Sequence, residues 1–291
     1  MPSRNPPADM AQDRRTFLKT LGIAAAAAAT PGMASAFMAP ERGRLSRIGI
    51  QLYTVRRAAQ TNLSGVLAQL AGAGYKEVEL AGYYNRPATE FAARLKDNGF
   101  AAPSGHIAID LIEKNPAATF ADAHAVGHEW ITVPSLPRGK HQTEDDWKRV
   151  AAQFNAAAAK AKADGFRFAF HNHNDIVRTT DGVLPIDILM RETDPALVSY
   201  QMDIFWAVSG GADPRALLAK YPGRFRMFHV KDGVAPYTDA SQTDVGKGTI
   251  DFAPIFAAGA GVEHYFVESD SAADPMAFAE SSRRYLSNLN F

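Results

Sequence analysis

The sequence predicts an α/β fold, a single-domain (β/α)8 TIM barrel, on two observations. Short apolar runs rich in β-branched and aromatic residues recur eight times, and a helix-like segment follows each of them. Polar residues collect directly after these runs, where the active site of such a barrel lies. The roughly 255 residues that follow the N-terminal segment also match the typical barrel length of about 250. An open doubly wound sheet is the alternative, but the chain has neither a dinucleotide-binding glycine fingerprint nor a Walker loop.

The predicted elements alternate in chain order. We predict strands at Ile48–Tyr53, Glu77–Leu80, Ala101–Gly105, Trp130–Pro134, Phe166–Phe170, Val198–Met202, Phe225–Val230 and His264–Val267. We predict helices at Leu63–Ala73, Thr89–Asn98, Pro116–Val126, Asp145–Ala163, Val183–Glu192, Pro214–Lys220, Phe252–Ala260 and Pro275–Leu289. Thr143 and Asp146 are spaced as an N-terminal helix cap, and Gly74 and Gly127 stand where helices should end.

The composition excludes several classes of function. The chain has 31 basic and 31 acidic residues, so a general affinity for nucleic acid or for an anionic membrane is not expected. It has no cysteine, which excludes disulfides, thiolate metal ligands and a cysteine nucleophile. Any bound metal must therefore use His, Asp, Glu and water. The expected partner is a small molecule, and a homo-oligomer is compatible with the sequence.

The N-terminal segment predicts a twin-arginine signal peptide. Paired arginines and a lysine in Arg14–Lys19 precede an alanine-rich run, Leu21–Ala29, and Ala34–Ala36 supplies a small-residue cleavage site. A membrane helix is the alternative, but the run is too short and too weakly apolar to span a bilayer. We therefore expect a periplasmic protein with no membrane span after signal removal. The expected division is a signal peptide at 1–36, a linker at 37–45 and the barrel at 46–291.

Metal-binding residue types end four consecutive predicted strands. His171 and His173 lie at alternate positions after the fifth strand, so both point to the same side. Asp203, His229 and Glu268 stand at the ends of the next three strands. With His171 they form a mixed nitrogen and oxygen set that suits one divalent metal ion, which can be Mn, Co, Zn, Fe or Mg. His173 competes with His171 for the place on the fifth strand.

Each of these residues also has a structural alternative. Asp203 can cap a loop, His229 can be a core histidine, and Glu268 can form a buried ion pair with Lys231. As a metal site, the set would polarise a carbonyl and its neighbouring hydroxyl, so that a nearby base can move the adjacent proton. We predict Glu268 or His173 as that base and Lys231 as a group that holds a substrate oxygen.

Other strand ends predict the substrate contacts. These positions are polar or aromatic: Gln51, Tyr53, Glu79, His106 and Trp206. For His106, a purely structural role is the alternative. Aromatic faces stack on sugar C–H surfaces, which favours a carbohydrate substrate, with ordinary packing as the alternative. The loop Val245–Asp251 contains two glycines and can either cradle a phosphate or lead into a helix that begins near Asp251.

Taken together, these motifs resemble the sugar phosphate isomerase/epimerase family of xylose isomerase-like TIM barrels over residues 46–289. The motifs that carry the resemblance are Ile48–Arg56, Gly74–Glu79, His171–His173, Met202–Trp206, His229–Asp232, Gly246–Asp251 and Val267–Asp270. The resemblance implies a metal held by a glutamate, an aspartate, a histidine and a second glutamate on strands five to eight. The last three correspond to Asp203, His229 and Glu268, whereas His171 stands in place of the first glutamate.

The resemblance implies a divalent-metal-dependent sugar isomerase or epimerase that abstracts a proton next to a carbonyl of a carbohydrate. Family epimerases use both glutamates as acid/base groups, so His171 predicts a mechanism with a single base, which also fits β-elimination. One alternative is therefore a lyase or hydrolase acting by β-elimination or dehydration on a 3-keto-glycoside or keto-polyol. A non-catalytic periplasmic sugar-binding protein is a further alternative, although such proteins usually have two hinged domains.

Overall fold

The computed structural model describes residues 43–137, 141–179 and 182–291. The predicted signal peptide and the predicted linker as far as residue 42 lie outside the described residues. In the part of the chain that is described, no helix combines the length and the apolar character needed to cross a bilayer.

Eight parallel strands close into a barrel. They are Gly49–Gln51 (β1), Glu77–Leu80 (β2), Ala101–His106 (β3), Trp130–Val133 (β4), Arg167–His171 (β5), Val198–Asp203 (β6), Phe225–Val230 (β7) and His264–Val267 (β10). Each strand pairs with its predecessor in this series, and β10 pairs with β1 to complete the cylinder. Two short strands, Asp232–Gly233 (β8) and Gln242–Thr243 (β9), form an antiparallel ribbon after β7. The predicted single-domain barrel is confirmed.

Helices connect the strands and pack against the outside of the barrel. They are Arg56–Ala73 (α1), Ala88–Asp97 (α2), Ile109–Lys114 (α3), Pro116–Val126 (α4), Glu144–Ala163 (α5), Pro185–Glu192 (α6), Ile204–Ser209 (α7), Pro214–Lys220 (α8), Phe252–Ala258 (α9) and Pro275–Asn288 (α10). The predicted cap of α5 is present, because the Asp146 N–H donates to Thr143 Oγ1 and the Thr143 N–H donates to Asp146 Oδ2. Gly74 ends α1 in the left-handed region, with φ of 95°.

The first helix begins earlier than predicted. It starts at Arg56 rather than Leu63, but it is kinked at Asn62, whose φ is −141°. The Asn62 side chain accepts a hydrogen bond from the Gly65 N–H at 3.0 Å, as an N-cap residue does. The predicted start at Leu63 therefore corresponds to a real second start, and the first turns of α1 lack the apolar period that would have revealed them.

The interior of the barrel is built in layers. Side chains alternate along each strand between the helices outside and the barrel axis. A small apolar cluster contributed only by strands, and separate from the main core, forms the floor: Trp130, Ala169, Met227 and Phe266. The residue two positions further along the chain from each of these is polar: Thr132, His171, His229 and Glu268. The alternation therefore places a polar layer directly above an apolar floor, at the C-terminal end of the strands.

The opposite end of the barrel carries a polar cluster centred on Glu77. Glu77, at the start of β2, lies 3.3 Å from Arg47 Nη1 and 2.9 Å from His264 Nδ1. Burial alone would raise the pKa of Glu77, but hydrogen bonds from His264 and Arg47 hold it below its ordinary value. This end of the barrel is where residues of a (β/α)8 fold generally serve stability rather than function.

Candidate metal centre and active site

Four side chains converge at the C-terminal ends of adjacent strands. His171 on β5, Asp203 on β6, His229 on β7 and Glu268 directly after β10 each offer a ligand atom, and these atoms lie within 4.8 Å of one another. All four residues are buried. We call this set the four-ligand cluster. The structure thus brings together all the predicted metal ligands, and it places His171 rather than His173 among them.

The two carboxylate oxygens of Asp203 have different surroundings. Its Oδ1 accepts a hydrogen bond from the Trp206 N–H at 2.9 Å, which caps α7. Its Oδ2 is buried and, among the described residues, has Lys231 Nζ at 3.0 Å as an ion-pair partner and His171 Nε2 at 3.9 Å. Burial raises the pKa of Asp203 to about 6. The Lys231 ammonium offsets part of the cost of burying this oxygen, and a cation held between Asp203 and His171 would add a second positive partner.

The two histidines of the cluster have different surroundings. Burial and the neighbouring His229 hold the pKa of His171 well below its ordinary value, so its ring is neutral, as a metal ligand must be. His229 lies between two carboxylates, with Nδ1 at 2.8 Å from Glu268 Oε2 and Nε2 hydrogen-bonded to Glu79 Oε2. Burial alone would lower the pKa of His229, but Glu268 and Glu79 outweigh it and raise the pKa to about 10, so a bound cation would have to displace the proton between His229 Nδ1 and Glu268.

Lys231 lies among the acidic groups of the site. Its buried Nζ is 2.8 Å from Glu268 Oε2, 3.0 Å from Asp203 Oδ2 and 2.7 Å from Asp270 Oδ2. Burial would lower the pKa of Lys231, but the three carboxylates outweigh it and hold the lysine charged. Three carboxylates share this one ammonium group, so the site retains negative charge that a divalent cation can neutralise.

His173 and Trp206 stand beside the cluster. The His173 ring is 5.0 Å from the His171 ring and 5.7 Å from the Trp206 ring. Burial, with the charge of Lys231, lowers the pKa of His173 to about 4, so this ring is a neutral base at pH 7. Among the described residues, none makes a hydrogen bond to the His173 ring. The Trp206 Nε1–H is likewise buried without an acceptor.

Two of the predicted substrate-binding residues, Gln51 and Glu79, are fully buried in the barrel. Glu79 Oε2 accepts a hydrogen bond from Gln51 Nε2 at 2.8 Å, and its Oε1 accepts from Ser104 Oγ at 2.6 Å. Burial would raise the pKa of Glu79, but the nearby His106 and His229 lower it to about 2. The polar groups of Gln51 and Glu79 are therefore used within the protein, beneath the four-ligand cluster.

The other predicted substrate contacts differ in accessibility. His106 is partly buried, with Nε2 at 3.0 Å from Gln201 Oε1 and 3.3 Å from Glu79 Oε2. Tyr53 is 42% exposed, and its ring lies against the Arg56 guanidinium at 3.9 Å. Tyr53 is therefore open to solvent, whereas His106 lies among the buried polar groups.

The sequence assigned no role to two residues that support the cluster. Asn172 braces the backbone of Asp203, because its Oδ1 accepts from the Asp203 N–H at 2.9 Å and its Nδ2 donates to the Asp203 carbonyl at 3.2 Å. Gln201 contacts His171, His106 and Glu79. Gln201 lies two residues before Asp203 on β6, and this spacing was the signal that could have identified it.

The glycine loop does not present free amides to a phosphate. The Asp232 carboxylate accepts hydrogen bonds from the N–H groups of Gly246 at 2.9 Å, Gly248 at 3.0 Å and Ile250 at 3.3 Å. A Cβ at Gly248 would lie 2.1 Å from Asp232 Oδ1, so the close approach requires glycine. Of the two predicted roles, a phosphate cradle or a lead into a helix, the structure supports the second, because the loop leads into α9 directly after Asp251.

Two curated relatives are inosose dehydratases. The protein from Geobacillus kaustophilus (strain HTA426) is 25% identical over 268 residues, which cover 77% of this chain and 86% of the relative. The protein from Geobacillus thermodenitrificans (strain NG80-2) is 34% identical over 166 residues, which cover 50% of this chain and 55% of the relative. The chain thus spans most of the first relative in the alignment and about half the length of the second.

A solved structure and a family model agree on the architecture. The crystal structure of a sugar phosphate isomerase/epimerase from Parabacteroides distasonis superposes with a TM-score of 0.73 at 26% identity, covering 85% of this chain and 99% of that one. The family model for the xylose isomerase-like TIM barrel matches residues 67–258, a segment that includes His171, Asp203 and His229. The chain belongs to the xylose isomerase-like TIM barrel family.

Proposed function

We propose that this protein is a divalent-metal-dependent lyase that eliminates water or an alcohol from a keto-polyol or a keto-glycoside. The sequence analysis put an isomerase or epimerase first and elimination second. The curated relatives favour the second, since both are described as inosose dehydratases, and a dehydratase removes water from its substrate.

The observation that carries the proposal is that Glu268 and Asp270 are held in ion pairs, whereas the nearby His173 ring is free to act as a base. Glu268 lies 2.8 Å from both Lys231 and His229, and Asp270 lies 2.7 Å from Lys231. Among the described residues beside the cluster, His173 is the neutral base that no hydrogen bond engages. Epimerisation needs two bases on opposite faces of a carbon, whereas elimination needs one base and a leaving group, so this arrangement favours elimination over epimerisation.

The four-ligand cluster fits a divalent cation. His171 Nε2 and Asp203 Oδ2 lie 3.9 Å apart without a hydrogen bond between them, Lys231 Nζ lies 3.0 Å from the same Asp203 oxygen, and Glu268 and His229 complete the set. When bound, a cation in this position polarises a carbonyl and its neighbouring hydroxyl. Two imidazoles among four ligands favour Zn, Co or Fe over Mg, which prefers oxygen.

Three residues of the chain, His173, Lys231 and Trp206, act on the substrate. His173 removes the proton from the carbon next to the carbonyl. The electron pair of that C–H bond forms a carbon–carbon double bond as the bond from carbon to the β-oxygen breaks, and the proton now on His173 passes to this oxygen, which leaves as water or alcohol. The Lys231 ammonium stabilises negative charge on a substrate oxygen, and the Trp206 Nε1–H donates to a second oxygen.

Product mass tests the proposal. The purified protein, supplied with Zn²⁺, Co²⁺ or Mn²⁺, is incubated with a keto-cyclitol such as an inosose and with a 3-keto-glycoside. We expect a product lighter by one water in the first case and a released alcohol in the second. Turnover with retained substrate mass would instead establish an isomerase or epimerase, and tight sugar binding without turnover would establish a binding protein.

Export remains part of the proposal. The twin-arginine segment predicts a periplasmic protein, and a free keto-sugar or glycoside is then a more accessible substrate than a sugar phosphate. We expect the protein purified from the periplasm of its native host to begin near residue 37. A protein recovered with Arg14 and Arg15 still attached would contradict this localisation.

A further inference from the structure

We infer that Gln201 is a positioning residue that fixes the tautomer of His171, so that the Nε2 lone pair of His171 points at the cation position. The inference rests on the proposed metal site and adds to it the reason why a histidine can replace the glutamate of the family pattern. A glutamate offers an oxygen in either orientation, whereas a neutral imidazole binds a metal only through the nitrogen without hydrogen.

The orientation of the Gln201 amide follows from its neighbours. Gln201 Nε2 lies 2.7 Å from Glu79 Oε1. The Glu79 carboxylate can only accept, so this end of the amide must be the NH2 group. The Gln201 Oε1 is then turned the other way, 2.9 Å from His171 Nδ1 and 3.0 Å from His106 Nε2.

The amide orientation determines where His171 carries its hydrogen. A carbonyl oxygen can only accept, so His171 Nδ1 must be the donor. In a neutral ring the other nitrogen, Nε2, then holds the lone pair, and this is the nitrogen that lies 3.9 Å from Asp203 Oδ2. The hydrogen bond to Gln201 therefore gives His171 the tautomer that can bind a cation beside Asp203.

The group that orients Gln201 is itself held in place. Glu79 accepts hydrogen bonds from Gln51 Nε2 at 2.8 Å and from Ser104 Oγ at 2.6 Å. Ser104 Oγ is also 2.8 Å from Thr132 Oγ1. These side chains are all fully buried. An amide flip of Gln201 would place its carbonyl oxygen against a Glu79 carboxylate oxygen, which are two acceptors, so the observed orientation is strongly preferred.

Gln201→Met tests the inference. Methionine has a similar length and is apolar. The Gln201 side chain already contacts Met227, so the core should tolerate a methionine at position 201. We expect the variant to retain its fold by circular dichroism but to bind Co²⁺ about 10–100-fold more weakly than the wild type. Nitrogen NMR of the metal-free wild type should show His171 protonated at Nδ1, and the variant should lose this single tautomer.

A second substitution separates positioning from packing. In a His171→Glu background there is no tautomer to select, and Gln201 Oε1 would face a carboxylate. Gln201→Met should then cost no Co²⁺ affinity, or should improve it, whereas a packing defect would weaken binding in both backgrounds.

The outcomes are distinguishable. If the wild-type protein binds no Co²⁺, the proposed metal site itself is wrong. A wild type that binds Co²⁺ but shows His171 protonated at Nε2, or a folded Gln201→Met variant with unchanged Co²⁺ affinity, overturns the role of Gln201 and leaves the metal site standing. Because the tautomer is read in the wild type, the inference is tested even if a variant does not fold.

Discussion

Replacing Lys231 by methionine removes the single ammonium among three carboxylates. Lys231 Nζ lies within 3.0 Å of oxygens of Asp203, Glu268 and Asp270, and the lysine is 1% exposed. Methionine occupies a similar volume but carries no charge. In the metal-free protein the variant therefore holds a buried acidic cluster from which the balancing charge has been removed.

The expected loss of stability is large. Breaking a buried ion pair by removing one partner costs about 3–5 kcal/mol, because the remaining charge stays buried. For a domain of this size each kcal/mol lowers the melting temperature by about 2–4 °C, so we expect a decrease of roughly 6–20 °C in EDTA. A divalent cation at the four-ligand cluster replaces the missing positive charge, and free metal at about 100 times its Kd would restore about 2.7 kcal/mol.

The assay compares melting temperatures in EDTA and in Zn²⁺ or Co²⁺. Lys114→Met is the matched control, because Lys114 pairs with Asp110 at 3.2 Å on the exposed surface of a helix. Such a pair contributes only about 0.3–0.5 kcal/mol, so its loss should barely change the melting temperature. We also expect metal to stabilise Lys231→Met more than the wild type, since the ammonium no longer repels the cation.

Two results would refute this reasoning. Equal melting temperatures of Lys231→Met and the wild type in EDTA would mean that the acidic groups do not depend on this ammonium. A large loss in EDTA without recovery in metal would mean that no cation binds where the carboxylates converge.

Three further predictions follow from other parts of the structure. Glu77→Gln should lower the free energy of unfolding by about 1–3 kcal/mol at pH 7. Because the folded-state pKa of Glu77 is lowered, the difference between variant and wild type should disappear as the pH falls below about 4. A difference that persists at lower pH would contradict a stabilising role for the contacts of Glu77 with Arg47 and His264. His173→Gln should reduce kcat by about 10²–10⁴-fold with unchanged metal content, and unchanged kcat would exclude His173 as the base. Trp206→Phe should keep or raise the melting temperature, since it removes an unpaired N–H, and should lower kcat/KM by about tenfold; equal kcat/KM would show that the N–H does not contact substrate.

Strand positions were predictable from sequence because each barrel strand is an apolar run. The bounds of Glu77–Leu80, Phe225–Val230 and His264–Val267 are the predicted ones. The short helix α7 was not predicted, because Ile204–Ser209 is apolar on every side and shows no helical period. Its start depends on the Asp203 side chain accepting from the Trp206 N–H, a tertiary feature of the same residue that was proposed as a ligand.

The site was predictable where charge marked it. His171, Asp203, His229 and Glu268 are ionisable residues directly after apolar runs, and the barrel brings strand ends together. Gln201 carries no charge, so only its spacing of two residues from Asp203 marked it in the sequence. Its hydrogen bonds depend on Glu79, which precedes it by 122 residues, and only the closed barrel makes that contact.

Metal stoichiometry of the purified protein tests the central claim most directly. Wild type, Asp203→Asn and the surface control Asp110→Asn are loaded with Zn²⁺ or Co²⁺, dialysed and analysed by mass spectrometry for bound metal. The four-ligand cluster predicts about one tightly bound divalent cation per chain in the wild type and the control, and little in Asp203→Asn. A wild type that retains no metal, or an Asp203→Asn variant that retains a full equivalent, would contradict it.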